Sequence, residues 1–320
     1  FFFTTMPRAW KGTPSPSTFT VLQYNILAHG LSNEKADYGG FDKVPREVLD
    51  WETRKHQVLE QINNVDADVI CLEECDHFAD WFLPQLEAKG FKGTFLKKPK
   101  SPCLDFSDLE DGCAVFWRAD RVEVTGEPLR HNFSGQNQVK LPSARDASLQ
   151  VALILETKIN GQAVTVVATH LKATKDAEGE VIREQEVQEL FDLVAARRGP
   201  SGAPVIICGD FNAVPSGPAV TTARQHPLGV GSAYGLQTPA DPADLAAAAA
   251  AEPAWTTWKR RGDTEKKYTI DYVLFTPGRL SVAEVLDIPP DEDILEYRLP
   301  CAALPSDHLP LAVRFCLTPP

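Results

Sequence analysis

Six short apolar runs in this 320-residue chain end at, or carry near one end, an Asp, Glu, Asn or His. ADVICLEE delivers Glu73 and Glu74, PVIICGDFN delivers Asp210 and Asn212, YTIDYVLF carries Asp271, and LPSDH carries Asp307 and His308. VLQYN ends at Asn25, and VVATHLK places His170 at its end. Short apolar runs bounded by turn signals read as strands buried on both faces. In α/β proteins the side chains at strand ends face the crevice where ligands bind. Singly, each polar residue has an ordinary explanation as a turn or helix cap, and His170 as a buried structural histidine. Six loaded ends together do not, because unpaired polar groups at buried strand ends are costly.

The rest of the chain supplies strands and a few helices around these runs. Strands are expected at Phe19–Ile26, Ala67–Leu72, Gly112–Trp117, Gln150–Thr157, Ala163–Thr169, Pro204–Cys208, Tyr268–Phe275 and Leu311–Phe315. Trp51, Val58, Leu59 and Ile62 predict a helix over Glu47–Asn63, and Val187, Leu190, Phe191 and Val194 mark a core-facing helix. A short helix interrupted by Pro84 is expected over His77–Lys89. Many strands with few helices suggest packed sheets with helices outside. No hinge-like linker divides the chain, so a single domain over 19–317 is expected. Residues 1–18 read as a flexible tail, the cut end of a longer chain, and 238–253 as a low-complexity surface insertion.

Charge and cysteine usage narrow the function classes. The net charge of −12 argues against gripping long nucleic acid by phosphate neutralisation, yet leaves room for a small anion in a local basic pocket. No apolar run approaches the roughly 20 residues of a membrane-spanning helix. The seven cysteines are scattered without a C-x-x-C pair and read as reduced thiols of an intracellular protein, cytoplasmic or mitochondrial. A monomer without membrane contact is expected.

Carboxylates and amides are hard oxygen donors that suit Mg²⁺ or Mn²⁺ and not zinc. Glu74 is the first choice for the metal carboxylate, and Asp271 with His308 fits a carboxylate-oriented histidine. G-x-S-x-G, P-loop and G-x-G-x-x-G motifs are all missing, so the activities that depend on them lack their signature.

QYNIL, ICLEE, THLKA, CGDFN, TIDYV and PSDH, in that order, resemble the endonuclease/exonuclease/phosphatase superfamily of Mg²⁺-dependent phosphoesterases. GTF followed by KPKSPCLD and DGCA, with WTTWKRR, is similar to the superfamily's nocturnin-like branch. The resemblance implies a four-layer α/β sandwich: two central, mostly antiparallel sheets flanked by helices. It implies that Asn25 and Glu74 form the metal site, that Asp210 handles the attacking water, and that Asn212 and His170 bind the phosphate. His308 would stabilise the phosphoryl oxygens, with Asp271 orienting it and Asp307 beside the metal–water network.

For that branch the implied reaction is removal of the 2′-phosphate from NADP⁺ and NADPH. Lys98 and Lys172 match positions expected to bind the dinucleotide's phosphates. Thr174 stands where the family has Arg, followed by Lys175, which is expected either to swing in or to leave binding weaker. Glu73 stands where Gln is usual, an extra carboxylate whose effect on metal and substrate is open. Trp255 and Trp258 fit either stacking on a base or packing in a core. Rival readings are a poly(A)-specific 3′ exonuclease, a lipid phosphodiesterase, and a non-catalytic binding or scaffold protein.

Overall fold

Strands buried on both faces need a layer on each side, and the chain builds four. The computed structural model describes residues 6–15, 18–34, 40–134, 150–198, 202–235 and 244–318. Its strands begin with β1 (Trp10–Gly12), β2 (Thr18–Asn25), β3 (Val69–Cys75), β4 (Phe91–Lys97), β5 (Gly112–Arg118), β6 (Val122–Val124), β7 (Leu129–Asn132) and β8 (Val151–Ile159). They continue with β9 (Gln162–His170), β10 (Val205–Asp210), β11 (Gly231–Ser232), β12 (Thr257–Arg261), β13 (Thr264–Tyr268), β14 (Asp271–Phe275), β15 (Leu280–Leu286) and β16 (Leu311–Leu317). The α-helices are α1 (Arg46–Leu49), α2 (Trp51–Val65), α3 (Leu83–Glu87), α4 (Ala177–Arg198), α5 (Pro218–Gln225) and α6 (Leu245–Ala250).

One sheet has the order β1-β15-β16-β2-β3-β5-β4, and the other β11-β14-β10-β9-β8-β6 with β7 also on β8. Each sheet is antiparallel except at one pair, β2 with β3 and β9 with β10. Between the sheets pack Val21, Val69, Cys71 and Val115 from one side and Leu153, Val166, Ile206 and Val273 from the other. On the first sheet's outer face, Val58 and Ile62 of α2 and Leu86 of α3 cover Leu22, Ile70 and Leu72. On the second sheet's outer face, Val187, Leu190, Phe191 and Val194 of α4 cover Ile154, Val167 and Ile207. The alternation along each strand therefore feeds two cores, as the sandwich expected from the sequence requires.

Several expectations need correction. Part of the expected tail is structured: Trp10–Gly12 forms an edge strand on β15, and the Arg8 guanidinium donates to the carbonyls of Asp287 and Pro310. The helix expected over Glu47–Asn63 breaks at Asp50, whose side chain accepts from the Thr53 N–H and starts α2 anew. The run Tyr268–Phe275 is not one strand, because β13 ends at Tyr268 and β14 starts at Asp271. Of the expected insertion, residues 238–243 lie outside the described residues; beyond them α6 starts with Asp244 capping the Ala247 N–H. Trp255 and Trp258 are buried against Leu299, Leu304 and Leu309, which settles them as core. The seven cysteines are free thiols, six of them buried.

Candidate active site

Strand register builds the site. Parallel pairing of β9 with β10 sets His170 beside Asp210, and antiparallel pairing of β10 with β14 sets Asp271 on the other side of Asp210. On the facing sheet, Asn25 ends β2 beside Glu73 of β3. A register shift between Leu72 and Cys75 interrupts β3, and Glu74 there takes φ +54°, which turns it out of the alternation into the cleft. Leu27 and Asn212 also have positive φ and line the same cleft. Non-glycine backbone in this region is strained, and such strain gathers at functional sites.

The cleft holds about 280 Å³ and is lined by Glu74, Lys98, His170, Lys175, Asp210, Asn212, Lys259, Arg261, Lys266, Tyr268, Asp307 and His308 among others. Nearly every site residue expected from the sequence is thus brought together. Asn25 and Asp271 stand behind the lining, in contact with Asp210 and His308, and Lys172 does not line the cleft; its backbone is pinned by Glu186 on the N–H (2.9 Å) and by Arg183 on the carbonyl (2.7 Å). Lys175 instead reaches in, donating to the carbonyl (2.7 Å) and Oδ1 (2.8 Å) of Asn212. Glu73 points away from the cleft, between the sheets, and accepts from Gln23 Nε2 at 2.8 Å. Burial holds its carboxyl well above the usual range.

His308 Nδ1 lies 2.9 and 3.0 Å from the two Asp271 oxygens. Asp271 is itself fixed by the Thr256 hydroxyl (2.6 Å) and Gln23 Nε2 (3.3 Å). Burial alone would lower the imidazole, but Asp271 and Asp307 outweigh it and raise His308 to about 9. It is therefore an imidazolium at neutral pH, with Nε2 turned to Asp210, 3.8 Å away. His170 is the opposite case: burial, then Lys98 and His308, push it well below its usual value and keep it neutral. Its Nε2 accepts from Asn212 Nδ2 at 3.0 Å. Burial first, and Asp271 second, raise Asp210 above an ordinary carboxylate. Asp307 is held low despite burial by Lys259, His308 and Arg261, with Lys259 in direct contact. Lys98 is buried in an ion pair with Asp111 at 2.7 Å.

A divalent cation fits the donor set. Asp210 is buried and Glu74 half-buried, Asn25 Nδ2 bridges the two carboxylates at 3.1 Å to each, and desolvation raises both. Such crowding of oxygen donors repels when ionised, and a hard cation offsets the repulsion. Asn25, expected as a ligand, turns its NH₂ to these carboxylates while its Oδ1 accepts from the Leu27 N–H at 3.1 Å. In this structure its NH₂ orients the two carboxylates. Asp210, Asp271 and His308 also approach as a potential ligand group, all within 4.8 Å. There the His308–Asp271 hydrogen bonds use the ligand atoms, so the pair reads as an oriented histidine.

Gln23, Thr256, Lys266 and Tyr268 were not singled out from the sequence. Gln23 lies inside the QYNIL run, and Lys266 stands opposite Lys259 across a hairpin, a pairing that only the turn at Gly262–Asp263 discloses.

Residues 22–308 match the endonuclease/exonuclease/phosphatase family. The chain belongs to that family. It is 35% identical to Nocturnin of Xenopus laevis over 96% of this chain and 75% of the relative, and 35% identical to Nocturnin of Homo sapiens over 96% and 68%. A carbon catabolite repressor protein 4 homolog of Arabidopsis thaliana is 27% identical over 97% of this chain and 59% of the relative. The human Nocturnin catalytic domain, solved with a bound sulfate anion, superposes with a TM-score of 0.75 at 29% identity, covering 97% of this chain and 98% of that one. Family and fold make this chain a hydrolase of the phosphoester-cleaving type, in a family whose enzymes are generally dependent on a divalent metal.

Proposed function

We propose that this enzyme removes the 2′-phosphate from NADP⁺ and NADPH, giving NAD⁺ or NADH and inorganic phosphate. The observation that carries the reading is the cleft's charge. Lys98, Lys175, Lys259, Arg261 and Lys266 line it against Glu74, Asp210 and Asp307, on a chain whose net charge is −12. A confined cationic cleft focuses a small, multiply charged anion against the protein's overall sign. The likeness to nocturnin supports the dinucleotide as that anion.

In this reading the 2′-phosphate lies among Asn212, His170 and His308. Asp210, more basic than an ordinary carboxylate, takes a proton from the attacking water. The new bond forms from that water to phosphorus while the bond to the ribose 2′-oxygen breaks, and that oxygen takes up a proton from solvent to leave as the 2′-hydroxyl. The His308 imidazolium, held by Asp271, stabilises negative charge on the phosphoryl oxygens. The neutral His170 and the Asn212 amide, steadied by Lys175, hold the phosphate without repelling Asp210's proton. Glu74, with Asn25 beside it, would hold Mg²⁺ or Mn²⁺, which when bound supplies further charge neutralisation at the phosphate.

The rival with an observation behind it is 3′ exonuclease action on poly(A), favoured by the 26% identity, over 95% of this chain, to the CCR4-Not complex 3′-5′-exoribonuclease subunit Ccr4 of Candida albicans. Successive bases would want aromatic platforms along a groove. The two tryptophans beside the cleft, Trp255 and Trp258, are core residues and supply none. The test is phosphate release from NADPH and NADP⁺ with Mg²⁺ and with EDTA, beside labelled oligo(A). Metal-dependent phosphate from the dinucleotides with intact oligo(A) supports the proposal. Shortened oligo(A) with untouched NADPH replaces it with the exonuclease.

A further inference from the structure

The hairpin β12–β13 beside the cleft carries a charge arrangement that the catalytic residues do not use. Its register pairs Thr257 with Tyr268, Lys259 with Lys266 and Arg261 with Thr264 on one face. The other face pairs Trp258 with Lys267 and Arg260 with Glu265. That second face is complementary: Lys267 Nζ sits 4.0 Å from the Trp258 ring centroid, and Glu265 accepts from Trp258 Nε1 at 2.6 Å. The cleft face sets two lysines directly opposite each other, which destabilises an antiparallel pair. Lys259 is neutralised by Asp307. Lys266 is exposed and has no hydrogen bond or ion pair among the described residues, so its charge is left for something else.

Lys266 faces a side lobe of the cleft, about 200 Å³, shared with Lys175, Tyr268 and Asn212. Lys175 Nζ, besides its bonds to Asn212, stands 5.7 Å from the Tyr268 ring centroid. The lobe's carboxylate, Glu180, is bound to Arg183 Nη2 at 2.6 Å, so its charge is shared between that guanidinium and Lys175 and none of it is paired with Lys266 among the described residues. Thr174 is tied back through its carbonyl to Arg183, and the next residue, Lys175, provides a cation to the lobe.

We infer that Lys266, Lys175 and Tyr268 form a second anion subsite, which holds a phosphate group of the substrate other than the one being cleaved. This rests on the 2′-phosphatase reading, in which that group is part of the dinucleotide's diphosphate. Two ammonium groups and a phenol hydroxyl suit a non-reacting phosphate, since they bind it without touching the water or the scissile bond. The subsite selects substrates with a second phosphate over simple 2′-phosphates, and it offsets the Lys259–Lys266 repulsion when filled.

The experiment compares kcat/KM for NADPH with kcat/KM for adenosine 2′-phosphate, which lacks the second group, in wild type, Lys266→Ala, Lys266→Glu and the distant surface control Lys92→Ala. The ratio of the two values is expected to fall about tenfold in Lys266→Ala, as for one lost charge-assisted hydrogen bond, and further in Lys266→Glu. It should stay at the wild-type value in Lys92→Ala. An unchanged ratio in both Lys266 variants, with both substrates still cleaved, overturns the subsite and leaves the 2′-phosphatase reading intact. An equal fall on both substrates also overturns it, because Lys266 would then act on the cleaved phosphate or on folding. Wild-type enzyme that cleaves neither compound overturns the functional reading and the subsite with it.

Discussion

Replacing Asp271 with Asn removes the charge that keeps His308 protonated while retaining an oxygen of the same shape. His308 stands at about 9 against an ordinary 6.5. That difference is worth ~3 kcal/mol at about 1.36 kcal/mol per pKa unit. At pH 7.5 a histidine with pKa 9 is about 97% imidazolium, and one with pKa 6.5 about 9%. Loss of Asp271 removes the largest of the charges that offset burial and leaves Asp307 and Asp210, so His308 falls toward its ordinary value. Phosphate release at pH 7.5 is therefore expected to drop by up to about tenfold through protonation alone. The alkaline limb of the pH–rate profile, near 9 in the wild type, should move toward neutrality. Stability changes with it. A histidine raised in the folded state contributes stability that is complete below pH 6.5 and disappears as pH rises through about 9. Wild type should lose that increment across the window, and Asp271→Asn should lack it. The assay is initial phosphate release from pH 5.5 to 10 with far-UV circular dichroism as the folding control. A folded Asp271→Asn variant with its alkaline limb still near 9 would refute the assignment of His308.

Other changes test other parts of the account. Glu74→Gln is expected to raise the Mg²⁺ concentration for half-maximal activity at least about tenfold, read by metal titration of phosphate release; an unchanged midpoint removes Glu74 from the metal site. Gly179→Ala would place a Cβ 2.1 Å from the Thr174 carbonyl oxygen, at the start of α4. It should cost about 1–3 kcal/mol in thermal unfolding, and no loss of stability would show that the loop relaxes freely. Glu73 is buried with its carboxyl raised, so the fold binds its proton more tightly than the unfolded chain, and stability declines as pH rises above the usual carboxyl range. Glu73→Gln should raise the melting temperature, more at pH 8 than at pH 5, and an equal change at both pH values would place the carboxylate in water.

The strand-end residues were legible because a strand buried on both faces leaves only its ends for polar groups. β2, β3, β8, β9, β10 and β16 all coincide with apolar runs, and the helix α4 with its spacing of Val187, Leu190, Phe191 and Val194. What failed has physical reasons. β1, β4 and the hairpin β12–β13 carry polar residues on an exposed face or edge, so no apolar run marks them. The break between β13 and β14 is hidden because Thr269 and Ile270 are both buried and β-branched, the residue types of a strand interior. Lys172 occupies a motif position, yet the chain leaves β9 at His170, and beyond it Ala173 and Lys175, not Lys172, line the cleft, with the Lys172 backbone held by Arg183 and Glu186 of α4. Lys266 depends on cross-strand register, which spacing along the chain does not encode.

The most direct test of the central claim is ³¹P NMR of NADPH during turnover with Mg²⁺. The account predicts that the 2′-monophosphate resonance disappears into inorganic phosphate while the two diphosphate resonances persist. Loss of the diphosphate resonances, or an unchanged spectrum with active metal-loaded protein, would contradict it.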